Sequence, residues 1–249
     1  MEKQYPLSKK EFAQKMKEKR KRLFDIADRQ LEITCTQPNK YLEFLRLLAI
    51  HGYDITNTLL IQAQHPDAIL LKDVARFRED GLHIKKGEKG IAIFQPGTSY
   101  VRRDGSTGIN YNVKHIFDIT QTSSESLPSP IEYDKSQLAY AFTHKEKDST
   151  NNSNASDDSY LIHLLKSSCQ KEGDNLKGFY IQSVIFALCQ KYRLHYEDHF
   201  ANACISSLKT MDKINRKNSL KSIKRLFDTI NSRIEHGLYV YDQEVNKNA

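Results

Sequence analysis

The stretch Gly81-Leu82-His83-Ile84-Lys85-Lys86-Gly87-Glu88-Lys89-Gly90-Ile91-Ala92-Ile93-Phe94 marks the point where the chain's pattern changes period. Before it the apolar residues recur at helical spacing, and after it they run as strands. The basic turn feeds the apolar run from Ile91 to Phe94. Beyond Pro96, residues 99–103 and 109–119 flank Asp104-Gly105, a hairpin signal. Gly87 and Gly90 permit positive φ on either side of Glu88 and Lys89, so the turn is expected to bring backbone N–H groups up to an anion. This pattern predicts an antiparallel sheet.

Working outward toward the N-terminus, residues 8–31 predict a helix with Phe12, Met16, Leu23, Ile26, Ala27 and Leu31 on one stripe. Lys15, Lys17, Lys19, Arg20, Lys21 and Arg22 crowd its other face with only Glu18 between them, a charge density that calls for water, salt or phosphate. Pro38 opens a second helix over 39–50, closed by Gly52, and a third spans 56–64. A short strand at 68–71 and a helical turn at 73–80 complete this half. Toward the C-terminus, residues 143–160 hold almost no apolar side chain and read as linker. Helical patterns come after it at 160–170, 176–193, 199–211 and 216–236. The expected fold class is α+β, with N-terminal helices packed on a small antiparallel sheet, followed by a C-terminal α-helical module. The expected domains are residues 1–125, a polar linker at 126–158, and the helical module at 159–249.

The 249 residues carry 38 Lys and Arg against 31 Asp and Glu, a formal charge of +7, which favours an anionic partner. No apolar run is long enough for a membrane helix, the best, 179–188, being interrupted by Gln182 and Ser183. No secretion signal is visible, so a cytoplasmic address and no membrane partner are expected. Cys35, Cys169, Cys189 and Cys204 are far apart and read as isolated thiols.

Four blocks occur in a fixed order: Asn57 with Leu59, Leu60, Ile61 and Gln64; Pro66-Asp67-Ala68; the stretch from Gly81 to Ile93; and Ile116-Phe117-Asp118-Ile119 followed by Gln121-Thr122. Together they resemble the N-terminal single-stranded-DNA-binding domain (DUF1738-like) of ArdC-type antirestriction and conjugation proteins, over about residues 9–122. The resemblance implies a mobile genetic element, conjugative or phage, and evasion of host defence. Two positions depart from the family's pattern. Phe77 stands where Trp is usual and Leu82 where Arg is usual, which removes aromatic surface and one charge and implies weaker binding.

Holding single strands without reading sequence needs cations along the phosphates and aromatic faces for the bases. Lys85, Lys86 and Lys89 supply charge in the turn, Arg102 and Arg103 at the hairpin tip, and Tyr53, Phe77, Tyr100 and Tyr111 are candidate stacking residues. Asn57 and Gln64 can bond bases or sugars, or else satisfy backbone. His83 reads as a half-buried ring with one hydrogen bond, and as a phosphate contact when protonated. Asp67 and Asp118 invite comparison with a catalytic pair but suit turn and strand-edge bonding better.

In the resembled family a zinc metallopeptidase domain commonly follows, carrying His-Glu-x-x-His. None of the nine histidines here precedes Glu. His195-Tyr196-Glu197-Asp198-His199 places two histidines four apart, without a third ligand at a convincing spacing. Residues 179–236, and 185–194 most closely, look like the helices that close such a domain. The expectation is therefore no catalysis, no metal and no cofactor. Single-stranded DNA is the expected partner, bound by occlusion. The alternatives are an inhibitor directed at a host defence nuclease, of antirestriction or anti-CRISPR type, with a host-defence or conjugation protein as partner, and, further off, a zinc metallopeptidase.

Overall fold

The computed structural model describes residues 8–129, 131–143, 158–173, 178–197 and 199–248. It is α+β, with nine helices and a three-stranded antiparallel sheet among the described residues. The chain divides into two compact units: Met1–Glu32 with Thr56–Leu127, and Ile33–Ile55 with Pro128–Ala249.

The first unit holds helix α1 (Lys9–Thr34, save its last two residues), α3 (Ile55–Gln64, save its first), α4 (Val74–Glu79) and the whole sheet. Its strands are β1 (Leu71–Lys72), β2 (Ile91–Val101) and β3 (Thr107–Asp118), in the order β1-β3-β2. Leu23 and Ala27 of α1 and Leu60 of α3 pack with Ala92 and Phe94 of β2, and Val113 of β3 packs against them. Only part of the expected α1 stripe is buried, because Phe12 and Ile26 are exposed.

β2 runs straight through Pro96, where the sequence pattern broke it in two. Pro96 lacks an N–H, but it sits two and four residues beyond Phe94 and Ala92, whose N–H and C=O groups face away from β3 toward side chains of α3. By strand alternation the missing donor falls on that same outer side and removes no ladder bond. A bulge between Pro96 and Ser99 then shifts the register by one residue. The hairpin closes through three residues, since Arg102 and Gly105 both bond across it (Arg102 N to Ser106 O, 2.7 Å; Gly105 N to Arg102 O, 3.0 Å) and Gly105 takes φ +81°. Glycine suits that left-handed position.

The second unit is helical: α2 (Pro38–His51), α5 (Lys135–Thr143), α6 (Asp158–Glu172), α7 (Gly178–Tyr192), α8 (Phe200–Lys209) and α9 (Lys213–Asn248). Helix α2 was expected with the N-terminal half. Its buried Tyr41, Phe44, Leu45, Leu47 and Leu48 instead pack with α7 and α8, and the Tyr41 hydroxyl meets Ser183 Oγ at 2.7 Å. Helix α5 lies inside the stretch expected as linker. It buries Leu138, Ala141 and Phe142 against α9, where Gly237 lets the backbones meet: a Cβ there would lie 2.7 Å from Ala141 Cα. The polar stretch 144–157 is outside the described residues.

Candidate nucleic-acid interface

Two of the sequence blocks form one knot. Asp118, fully buried, accepts from the N–H groups of Ile69 (2.7 Å), Leu70 (2.9 Å) and Thr120 (3.1 Å) and from the Thr120 hydroxyl (2.8 Å). Burial alone would raise its pKa, but the Thr120, Ile69 and Leu70 donors outweigh it and hold the carboxyl below its ordinary value. Gln121 accepts from Asp118 N through Oε1, while its Nε2 donates to Glu88 Oε2 (2.9 Å) and to Lys89 O (3.0 Å). Lys85 N donates to Gln121 O, and an isolated bridge joins Ile84 to Thr122. Residues 116–122 thus fix the basic turn 85–89 in place, which gives Asp118 a structural role.

Within that turn only Gly87 has positive φ, +92°. Gly90 serves close approach, because a Cβ there would lie 2.9 Å from both His115 Cβ and Phe117 Cζ. The Glu88 N–H turns inward to Lys85 O, so the turn offers an anion fewer donors than its glycines suggested. Lys85 Nζ donates to Thr120 O at 3.1 Å, while Lys86 and Lys89 are exposed. His83 is exposed, contrary to the half-buried ring expected, because its backbone, bonded to Ser123 on both sides, supplies the anchoring.

Asn57 and Gln64 are not available to bases. Asn57 is bonded both ways to Phe94 of β2 (2.8 Å each), and Gln64 both ways to Ala92 (2.9 Å each). Phe77 is fully buried and presents no face for stacking. Tyr53 is half-buried and belongs to the helical unit. Tyr100 pairs with Gly108, its ring lying where a Cβ at 108 would be, whereas Tyr111 pairs with Pro96. Positions 108 and 111 differ by an odd number, so the two rings occupy opposite faces of the hairpin. Arg102 and Arg103 stand exposed at the tip, with Arg102 Nη1 donating to Ser106 Oγ.

A concave basic surface of the first unit lies elsewhere. Lys17, Arg20, Lys21 and Phe24 of α1 face Ile109, Asn110 and Tyr111 of β3 across an open groove of about 350 Å³. Phe24 stacks on Phe94 with ring centroids 4.4 Å apart, and Tyr111 meets the same ring edge-on at 5.7 Å. Phe24 and Tyr111 remain 41% and 40% exposed. Arg20 Nη1 reaches Tyr111 O at 3.5 Å, and Lys19 Nζ lies 3.2 Å from His115 Nε2. Burial, and then the Lys19 charge, lower the His115 pKa, so at neutral pH the imidazole accepts from Lys19. Phe24 was legible as an aromatic two residues past the basic run and off the buried Leu23, Ala27, Leu31 row.

In the helical unit His195, Glu197 and His199 are exposed, and Asp198 lies outside the described residues. Among the described residues no three His, Cys, Asp or Glu converge to hold a metal. The four cysteines are buried thiols, and burial pushes Cys169 and Cys189 up to about 12, far from a reactive thiolate. Among the described residues no helix is long and apolar enough to cross a membrane.

No family model matches the chain. It is similar to the uncharacterized protein pXO2-81 of Bacillus anthracis, 25% identical over 163 residues that cover 54% of this chain and 28% of that protein. The chain therefore spans about 28% of the length of that curated relative. Among solved structures, the metal-free crystal structure of the antirestriction protein ArdC from plasmid R388 overlaps 73% of this chain and 84% of its own, at 13% identity and a TM-score of 0.43. An overlap that loose assigns no chemistry.

Proposed function

We propose that the first unit binds single-stranded DNA without sequence preference, as an accessory of a mobile element acting in conjugation, phage infection or antirestriction, and that it works by covering the strand and not by bond chemistry. The observation that carries this reading is the groove between α1 and β3. Three cations, Lys17, Arg20 and Lys21, stand beside two aromatic rings, each about two-fifths exposed. Phosphates need the first and unpaired bases the second. Lys86 and Lys89 of the turn and Arg103 of the tip extend the positive surface of the same unit.

A labelled oligonucleotide titration at two salt concentrations tests the proposal. Single strands are expected to bind in preference to duplex, with affinity falling steeply as salt rises. Replacing Lys17, Arg20 and Lys21 together is expected to weaken binding across sequences and flatten the salt dependence. Absence of binding at low salt overturns the reading and leaves a protein target as the use of the basic face.

A further inference from the structure

Among the described residues the sheet has one edge closed and the other open. On β2, Ala92 and Phe94 turn both main-chain groups toward Gln64 and Asn57, and Pro96 and the bulge blunt the rest of that edge. Paired residues in an antiparallel ladder share one hydrogen-bonding state. His115 and Val113, opposite Ala92 and Phe94, therefore turn their N–H and C=O groups away from β2 as well. The bulge adds its residue to β2 alone, so the alternation continues unbroken along β3. It agrees with the turn end, where Arg102 bonds Ser106 and the next pair, Val101 with Thr107, faces outward again.

Thr107, Ile109, Tyr111, Val113 and His115 thus line an edge that β1 occupies only at Phe117 and Asp118. Among the described residues one of these outward main-chain groups has a partner, Tyr111 O with Arg20. The open stretch is about 30 Å long at roughly 3.4 Å per residue. Ile109 is 49% exposed beside it.

Charge selects the occupant. Lys17, Arg20 and Lys21 border the edge at Ile109 and Tyr111, and Lys19 stands over His115. A second copy pairing β3 to β3 would bring two such cationic rows together, which like-charge repulsion disfavours. We infer that the β3 edge from Thr107 to His115 accepts an extended acidic segment of a partner protein as a fourth strand. The partner's main chain completes the ladder, and its carboxylates meet Lys17, Arg20 and Lys21. The inference does not depend on DNA binding. Because Arg20 would serve both ligands, strand and DNA exclude each other.

The test uses the full chain and a fluorescent nonapeptide alternating Glu with Val, together with two derivatives N-methylated on alternate amides, one on the odd and one on the even positions. The parent is expected to bind saturably at low salt. One methylated peptide is expected to lose at least tenfold in affinity while the other keeps the parent's, because only alternate amides of a docked strand point at the edge. Ile109→Pro removes one outward N–H without touching a bond to β2, as Pro96 does on the other strand, and is expected to cost the peptide a similar factor with the far-UV circular dichroism unchanged. Equal behaviour of the two methylated peptides, or no binding of the parent, overturns the inference. Should Ile109→Pro fail to fold, the methylated pair decides alone.

Discussion

Asn57 and Phe94 are joined by two hydrogen bonds of 2.8 Å, the carboxamide of one taking both the N–H and the C=O of the other. Gln64, two turns further along α3, repeats the device on Ala92. A helix thereby imitates a neighbouring strand and closes the β2 edge. Asn57 is buried, so Asn57→Ala leaves two main-chain groups without partners out of reach of water, and a loss of about 1–3 kcal/mol is expected. Gln64 is exposed, water can replace it, and Gln64→Ala is expected to cost about 0.5–1.5 kcal/mol. Urea denaturation of the two variants checks the order, and a Gln64 loss equal to or above that at Asn57 refutes the account.

These two amides show what the sequence could and could not disclose. Helices, hairpin and turn were legible because apolar period and glycine placement act locally. Asn57 and Gln64 looked like polar groups on a helix, and nothing local says that an amide will meet a strand edge 28 or 37 residues away. Phe77 looked like a stacking ring because burial is a tertiary property. Helix α5 was missed because nine residues beside a long polar stretch carry little periodic signal, and its burial comes from α9. The groove escaped for a related reason: its cations lie on α1 and its tyrosine about 90 residues later, on β3.

Asp118 makes stability depend on pH in one direction. Its folded pKa lies below the ordinary carboxylate value, so the unfolded chain takes up the proton first. The stabilisation is complete at pH values above about 4 and is lost as pH falls through the folded value. Asp118→Asn gives up the ionic acceptor at every pH. The stability gap between the native protein and this variant is therefore expected to be widest near neutrality and to narrow below pH about 4 in denaturation curves. A gap of constant size from pH 7 to pH 3 would show that the charge plays no part.

Gly87 and Gly90 are three residues apart and constrained by different physics. Gly87 has open space around it but sits at φ +92°, so Gly87→Ala meets backbone strain of about 1–2 kcal/mol. Gly90→Ala places a methyl 2.9 Å from both His115 Cβ and the Phe117 ring, and overpacking of about 1–3 kcal/mol is expected. The two are separable by a second substitution. Phe117→Leu is expected to relieve much of the Gly90→Ala defect and none of the Gly87→Ala defect, as read in a double-mutant cycle of unfolding free energies. Equal relief of both would mean that the turn moves as a rigid piece.

In the α1–β3 groove, rings and cations should fail differently when removed. Phe24 stacks on Phe94 and remains 41% exposed, and Tyr111 meets the Phe94 ring from its edge. If bases stack there, Phe24→Ala or Tyr111→Ala loses about 1–3 kcal/mol of single-strand binding with the salt slope unchanged, since no counterion is involved. Phe24→Leu keeps the apolar contact with Phe94 but not the π-face, and is expected to lose most of that affinity while the protein stays folded. Arg20→Ala should instead lower the slope by about 1 per phosphate contact. Titrations of each variant at several salt concentrations separate the two signatures. If Phe24→Leu binds as the native protein does, the groove holds phosphates alone and the bases lie elsewhere.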